Sequence, residues 1–210
     1  MIKENTGQDI DIEHIPLDDA ETIQLFQKGQ TEQVFQFAGE GMQLNLMGMH
    51  PENFEDLAVI NSLYRPGTLE VMRKYFERKK GRKPVKFSAP FMEDFLGETY
   101  GIIVYQEQIM KIAQVIGGFT PGQSDILRKA IARGDTSVLC AMESMFLEGC
   151  LKNGHAKKDI RKAWKEMQLK GRYAFNKSHA VCYTFIGYQM GFLKAHFPEV
   201  FKKVMDEYMS

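Results

Sequence analysis

The sequence is poor in the residues that metal centres and disulfide scaffolds require. The 210 residues include three cysteines, and Cys140, Cys150 and Cys182 do not have metal-ligand spacing. An odd number of cysteines without paired spacing is typical of reduced thiols, so a cytoplasmic protein is expected. The five histidines are scattered along the chain, and none pairs with a cysteine or aspartate at ligand spacing. The sequence therefore predicts no metal site.

Long uncharged apolar runs are missing too. The longest, residues 180–193, is too short to cross a bilayer, and its Gly187 and Gly191 indicate close packing in a core. No apolar run follows residues 1–5, so no signal peptide is predicted. No phosphate-binding glycine loop or Ser-His-Asp order stands out. A composition of 44% hydrophobic and 26% charged residues predicts an ordinary globular domain without a membrane partner.

The formal net charge of zero hides segments of opposite charge. Residues 1–60 contain two Lys/Arg and twelve Asp/Glu. Residues 61–100 contain nine against five, and residues 128–179 contain twelve against five. This division suggests that the later part of the chain faces an anion, although charge alone fits a solvated basic surface equally well.

Hydrophobic periodicity predicts a mainly α fold of nine to eleven helices with one or two short strands. Residues 1–13 are polar and are expected to form a loose lead-in. A strand is predicted over Val34–Phe37, where apolar and polar residues alternate. Asp18 or Asp19 is expected to cap the first helix, which Gly29 ends. Helices are predicted over 20–28, 40–47, 52–63, 68–79, 105–116, 120–134, 136–152 and 156–170, from about 178, and after Pro198.

The segment Tyr173–His179 places two aromatic rings, an amide, a cation, a hydroxyl and an imidazole directly before a long apolar helix. At a helix N-terminus, unpaired backbone N–H groups and the helix dipole add to the attraction for a phosphate. Tyr173 offers a flat face to a base or sugar. A capping loop with Ser178 as the N-cap is the alternative. The candidate donors are Asn176, Lys177, Ser178 and His179.

Three further places carry cations or amides that suit a phosphate or a base edge. Arg128–Lys129 gives two adjacent cations on a helix, and Arg133 follows about one turn later. Gln106 and Gln108 begin another helix, and Arg65 precedes a Pro-Gly turn. Each of these places, taken singly, also fits an exposed polar surface.

Taken in order, these segments resemble the α subunit of bacterial DNA polymerase III, the C-family replicative DNA polymerase. The resemblance runs from about Asp11 to Phe201, and its specificity comes from many motifs in one consistent order. The matching motifs are IPLDD at 15–19, VFQF at 34–37 with GM at 41–42, FEDL at 54–57, LYRPG at 63–67, TYGI at 99–102, YQEQIM at 105–110, DILRKA at 125–130, YAFNKSH at 173–179 and LKAHFP at 193–198.

In that family this region is the largely helical fingers domain, which closes on the incoming nucleoside triphosphate and the templating base. The resemblance implies a lead-in from the palm at 1–13, the N-terminal part of the fingers at 14–100, and the C-terminal part at 101–210. It also implies that Arg128, Lys129 and Tyr173–His179 line the triphosphate and sugar side of the nucleotide pocket. Candidate DNA or phosphate contacts are Arg65, Gln106, Gln108 and Arg133.

Nucleotidyl transfer requires two metal ions held by carboxylates. In the family these carboxylates lie in the palm, before the IPLDD link. Mg²⁺ is therefore expected in the full polymerase, with its ligands outside this chain. The segment Asp94–Gly97 imitates a palm motif, but its place just before Thr99 argues against that role. No catalysis is expected from this chain alone. The expected partners are the incoming dNTP, primer–template DNA, and the palm and other domains of the α subunit.

Two other functions also fit these residues. One is a free-standing, non-catalytic nucleic-acid or nucleotide-binding module derived from polymerase fingers, with an affinity that falls in salt. The other is a helical protein-interaction module whose acidic first third meets a basic partner. Three places depart from the family pattern: Ala132–Asp135 for a basic loop, Thr68 for a proline, and Lys170–Gly171 for an aromatic residue.

Overall fold

The computed structural model describes residues 2–209, and almost every element in that range is a helix. The mainly α fold class is thus confirmed. The α-helices are α1 (Ile2–Thr6), α2 (Ala20–Gln27), α3 (Glu40–Met49), α4 (Phe54–Leu63), α5 (Leu69–Lys79), α6 (Glu93–Leu96), α7 (Gln106–Val115), α8 (Pro121–Arg133), α9 (Thr136–Lys152), α10 (Lys157–Gly171), α11 (Lys177–His196) and α12 (Pro198–Met209). Single 3₁₀ turns occur at Ile12–His14, Pro90–Met92 and Gly97–Thr99.

The segment Val34–Phe37 is a turn, so the prediction of a strand there is wrong. The Phe37 N–H donates to the Val34 carbonyl at 3.0 Å, which closes the turn. Gln33 and Gln36 have φ values of 66° and 65°, in the left-handed region that a strand does not use. Val34 and Phe37 are both buried, so the apolar residues follow the turn geometry and not a strand alternation. Over residues 2–209 there is no strand, and an isolated parallel bridge pairs Tyr105 with Phe175.

Predicted helix signals act as expected. Asp19 caps α2, since its Oδ1 accepts the Thr22 N–H at 2.8 Å, and Gly29 follows the helix with φ 65°. Thr120 caps α8, with Pro121 at the first helical position. The predicted loose lead-in contains α1, a five-residue helix without buried residues, so no apolar periodicity marks it.

The chain forms two compact units of opposite charge. The acidic unit comprises the chain up to Tyr64 together with the part from Ser178 onward, and the basic unit comprises Arg65–Lys177. The basic unit has 22 Lys/Arg and 12 Asp/Glu, whereas the acidic unit has 5 and 15. The charge division seen in the sequence therefore follows the structural boundaries. The predicted domain bounds at 13/14 and 100/101 concern the family's domain and stay a prediction.

The basic unit is built around one apolar core shared by α7, α8, α9 and α10. Its buried side chains include Ile112, Leu127, Phe146, Trp164 and Met167. Burial of these side chains supplies the main stabilisation of the unit and fixes α7 against α8. These two helices carry Gln106, Arg128 and Lys129, so the core sets the geometry of the predicted site residues.

Close packing at the two glycines of α11 is confirmed within the acidic unit. A Cβ atom on Gly191 would lie 2.6 Å from the Phe26 ring, and one on Gly187 would lie 2.7 Å from the Phe35 carbonyl oxygen. Both approaches require the absence of a side chain. The absence of side chains at these glycines therefore lets α2 and the 34–37 turn pack closely against α11.

Candidate functional site

The candidate site lies in the basic unit, where the start of α7 pairs with the loop before α11. The Phe175 N–H donates to the Val104 carbonyl at 2.8 Å, and the Gln106 N–H donates to the Phe175 carbonyl at 2.9 Å. This short pairing holds the Tyr173–Lys177 loop beside the first turn of α7. It brings together predicted residues that are about 70 positions apart in the sequence.

Glu107 fixes that loop, and the sequence reasoning did not single it out. Its Oε1 accepts the Asn176 side-chain N–H at 2.9 Å, and its Oε2 accepts the Lys177 backbone N–H at 2.9 Å. Glu107 lies in the first turn of α7 and Lys177 begins α11. One carboxylate thus stabilises the positive ends of two helices. An acidic residue in a predicted first turn was the signal that could have indicated Glu107.

The Lys177 side chain extends across the same place. Its Nζ lies 3.7 Å from Glu98 Oε2 and 5.5 Å from the centroid of the Tyr105 ring. The cation is therefore held loosely by one exposed carboxylate and one aromatic face. About half of the Lys177 side chain remains exposed to solvent, so it stays accessible to an anion.

Arg128 and Lys129 share a single carboxylate on their own helix. Asp125 Oδ1 accepts the Arg128 Nε–H at 2.9 Å and the Nη2–H at 2.7 Å. Asp125 Oδ2 lies 2.7 Å from the Lys129 Nζ. The hydrogen bonds from Lys129 and Arg128 hold the pKa of the Asp125 carboxyl below its ordinary value. The spacing of three and four residues on a helix was the signal for this cluster.

Gln106 connects this cation cluster to the loop. Its Oε1 accepts an N–H from Arg128 Nη1 at 3.1 Å, and its Nε2 donates to the Ala174 carbonyl at 3.3 Å. The structure therefore brings Arg128, Gln106 and the 173–177 loop into one cluster. Gln106 was predicted from the sequence as a DNA contact, and its amide here spans Arg128 and the loop backbone.

Gln108 has its amide engaged inside the fold. Its Oε1 accepts the backbone N–H groups of Val104 at 3.0 Å and Tyr105 at 2.9 Å. Its Nε2 donates to Phe95 O at 3.2 Å and to Thr99 Oγ1 at 2.8 Å. These bonds hold the connection between the TYGI and YQEQ motifs. A DNA contact by Gln108 stays a prediction.

Arg65, the first residue of the basic unit, contacts the Tyr173–Lys177 loop. Its Nη2 donates to the Tyr173 carbonyl at 2.7 Å, and its guanidinium lies 4.8 Å from the Phe175 ring centroid. Burial lowers the pKa of Arg65 from its ordinary value. Tyr173 itself is 52% exposed, which leaves its side chain open to a planar ligand.

The remaining predicted residues lie elsewhere. Ser178 and His179 belong to the acidic unit, where the His179 ring stacks on Tyr183 at a centroid distance of 4.0 Å. Because α11 begins at Lys177, the alternative with Ser178 as N-cap is wrong.

Arg133 is the last residue of α8 and is exposed. The departure from the family pattern at 132–135 covers the last two residues of α8 and the connection to α9, where Gly134 is in the left-handed conformation and Asp135 caps α9.

A second basic cluster joins α5 and α10 in the same unit. Burial lowers the pKa of Lys74, and the nearby cations Lys170 and Arg78 lower it further. The negative charge of Glu166 acts in the opposite direction and raises the pKa of Lys74, and its Oε1 lies 3.4 Å from the Lys170 Nζ. The cluster retains an excess of positive charge that a bound anion would relieve.

Metal sites and membrane spans are both absent from the part of the chain that the structure describes. Among residues 2–209, no group of three or more His, Cys, Asp or Glu side chains is placed to hold a metal ion. Within the same residues, no helix combines the length and apolar character that crossing a membrane would require.

A sequence model of the bacterial DNA polymerase III alpha subunit finger domain matches residues 1–154, and the helical fold agrees with it. The chain belongs to that family. It is 42% identical over 203 residues to the DNA polymerase III subunit alpha of Aquifex aeolicus, covering 96% of this chain and 18% of the relative. The subunit from Halalkalibacterium halodurans is 39% identical over 200 residues, covering 95% and 18%. That from Borreliella burgdorferi is 40% identical over 197 residues, covering 94% and 17%.

This chain therefore spans less than one fifth of the length of these curated relatives. The family model ends before the Tyr173–Lys177 loop, whereas the relatives align along nearly the whole chain.

Proposed function

We propose that this chain is the part of a bacterial replicative DNA polymerase that binds the incoming deoxynucleoside triphosphate and the template during DNA synthesis. The observation that carries the proposal is the cluster in the basic unit. There Arg128, Gln106 and the 173–177 loop converge on the first turn of α7. The cluster combines cations, amide donors and a helix N-terminus, which together suit a triphosphate.

Each residue of the cluster suits a different part of the nucleotide. Arg128 presents a planar fork of donors that matches a phosphate, whereas Lys177 and Lys129 supply mobile point charges. Asn176 can donate to a phosphate oxygen once its contact with Glu107 opens. The exposed Tyr173 ring suits stacking against a base or sugar. The assignments of Ser178 and His179 to the nucleotide stay predictions.

Nucleotidyl transfer itself needs two Mg²⁺ ions, which activate the primer hydroxyl and stabilise the leaving pyrophosphate. The described residues offer no group of carboxylates for them. In this proposal the chain binds and orients the nucleotide, and the metal ligands are carboxylates of the polymerase palm. Closure on the correct nucleotide would align the reacting groups and exclude water.

The cluster of Lys74 and Lys170 supports the template-binding half of the proposal. Positive charges that repel each other at a partly buried position are stabilised by an anion, and a nucleic-acid backbone provides a row of them. The basic unit as a whole has a net charge of +10, which favours the approach of DNA.

The test of nucleotide binding is calorimetric titration of the chain with dATP and Mg²⁺, beside an Arg128→Ala/Lys177→Ala variant. Each hydrogen bond to a charged group contributes about 1.5–3 kcal/mol, so the double variant should bind at least about 100-fold more weakly. Removing both side chains should change stability little, since both are partly exposed.

The matched control is Lys162→Ala on α10, an exposed cation that pairs with Asp159 three residues earlier. This control should bind dATP as the wild type does. Equal weakening by Lys162→Ala and by the double variant would show non-specific charge binding. Such a result would contradict the proposal, as would a wild-type chain that binds no dATP.

A further inference from the structure

Two carboxylates of the candidate site, those of Glu107 and Asp125, act on different kinds of partner. Glu107 binds the Lys177 backbone N–H and the Asn176 side chain, so it fixes the loop against α7. Asp125 binds the Arg128 and Lys129 side chains, which lie on its own helix. The Asp125 contacts therefore join no separate elements. They neutralise two cations on one helix.

We infer that Asp125 competes with the phosphates of the nucleotide for Arg128 and Lys129, and that this competition sets the affinity of the site for the nucleotide. In the free protein it holds Arg128 and Lys129, and it releases them when a triphosphate binds. This inference rests on the proposed function. It adds that Asp125 lowers the affinity of the site for the triphosphate.

Geometry and exposure make this exchange feasible. Two Arg128 nitrogens donate hydrogen bonds to Asp125 Oδ1, and the same guanidinium donors can bind a phosphate oxygen. The Arg128 side chain is 26% exposed and that of Asp125 is 37% exposed, so water can take over the broken contacts. Ion pairs at such exposed positions are weak, and a triphosphate carries several charges against one.

The exchange leaves the Asp125 carboxylate close to the bound phosphates. Its negative charge then opposes binding, so removal of that charge should strengthen binding of the triphosphate. The opposite expectation applies if Asp125 acts as an orienting partner. In that case its removal would let Arg128 move away and would weaken binding.

The test is titration with dATP and Mg²⁺ at fixed ionic strength, comparing the wild type with Asp125→Asn. The amide keeps the shape of the side chain, and the dissociation constant should fall about tenfold. Asp125→Ser removes the same charge with a smaller side chain and should give a gain in the same direction. Thermal melts by circular dichroism check that both variants are folded.

The matched control is Asp159→Asn on α10, which removes an equal charge from a three-residue pair with Lys162. It should leave the dissociation constant within about twofold, because its ion-pair partner Lys162 is not a residue of the candidate site. A spectroscopic readout is the side-chain Nε–Hε resonance of Arg128 by NMR. Saturating dATP should shift this resonance in the wild type as Arg128 changes partner.

The outcomes separate this inference from the proposed function. If the wild type binds dATP, Arg128→Ala loses binding, and Asp125→Asn binds no better than the wild type, the inference is overturned and the proposed function stands. An Arg128 resonance unchanged by saturating dATP also overturns the inference. Absence of binding in every variant overturns both.

Discussion

Gly149 in α9 determines how closely that helix approaches the residues that follow α7. A methyl group on its Cα would overlap the carbonyl oxygen of Gly117, a backbone atom that cannot rotate away. Overpacking of this kind typically costs about 1–3 kcal/mol. The core beneath the candidate site therefore depends on a position without a side chain.

We predict that Gly149→Ala lowers the free energy of unfolding by about 2 kcal/mol, measured by urea denaturation. Gly122→Ala in α8 is the control, because a Cβ atom added to Gly122 would have no neighbouring atom within 4 Å. That exchange should leave stability unchanged or raise it by up to about 1 kcal/mol through helix propensity. Equal losses in both variants would contradict this account.

Arg78 is a second residue on which the local structure depends. This buried arginine of α5 donates from Nη1 to the Tyr100 carbonyl at 2.6 Å and to the Gly101 carbonyl at 3.2 Å. It holds the TYGI motif, in which Tyr100 has a φ of 52°. Removing the guanidinium would leave buried carbonyl groups without a partner.

We predict that Arg78→Met costs about 2–3 kcal/mol of unfolding free energy, the penalty for unsatisfied buried polar groups. The measurement is again urea denaturation, with Arg73→Met as the control. Arg73 lies on the same helix and is exposed, so its replacement should change stability by less than about 0.5 kcal/mol. A small effect at Arg78 would mean that the TYGI turn is held by other contacts.

At the scale of elements, the acidic unit joins the start of α2 to the end of α11 through Asp19. Its Oδ1 accepts from the Thr22 N–H and lies 2.9 Å from His196 Nε2. Burial alone would raise the pKa of Asp19, but the hydrogen bonds from Thr22 and His196 together lower it. The ionised form is therefore stabilised by folding.

The consequence for pH follows from the lowered pKa of Asp19. A group whose pKa falls on folding contributes stability above its unfolded pKa, here near 3.8, and loses it as the pH falls through the folded pKa. We predict that Asp19→Asn, which keeps an N-cap side chain, is less stable than the wild type at pH 5. The difference should shrink toward pH 3, as followed by urea denaturation at each pH. A difference that grew on acidification would contradict this assignment.

Local signals explain which elements could be predicted from the sequence. Caps such as Asp19 and Thr120 act within one turn, so the sequence reveals them directly. The strand predicted at 34–37 failed because four alternating residues also fit a tight turn, and burial against Gly187 decides between the two. The lead-in helix α1 buries nothing and leaves no periodic signal.

The candidate site could be predicted only in part, for a similar reason. Its cations and donors were recognisable as chemistry in the sequence and through the family resemblance. Their partners were not, because Glu107 meets Asn176 across a separation of 69 residues. Gln108 fits a surface amide in the sequence, yet in the structure its side chain makes four hydrogen bonds, three with backbone groups and one with a side-chain hydroxyl. Such pairings depend on tertiary structure.

At the scale of the whole molecule, the formal net charge of zero is divided into a basic and an acidic unit. We predict that single-stranded DNA binds the chain with a steep salt dependence, measured by fluorescence anisotropy of a labelled oligonucleotide. Lys74→Gln should reduce the slope of log K against log salt by about 0.7, the value for one phosphate contact on a single strand. Lys202→Gln in the acidic unit is the control and should leave the slope unchanged. Equal effects of both changes would contradict binding by the basic unit.

The central claim is that the basic unit holds the incoming nucleotide between α7, α8 and the loop before α11. The most direct test is photo-crosslinking of the chain with a base-linked photoreactive dATP analogue, followed by peptide mapping. We predict labelling at or next to Tyr173, suppressed by excess dATP and weakened in Arg128→Ala/Lys177→Ala. Labelling that dATP does not suppress, or that falls on α10 around Lys162, would contradict the account.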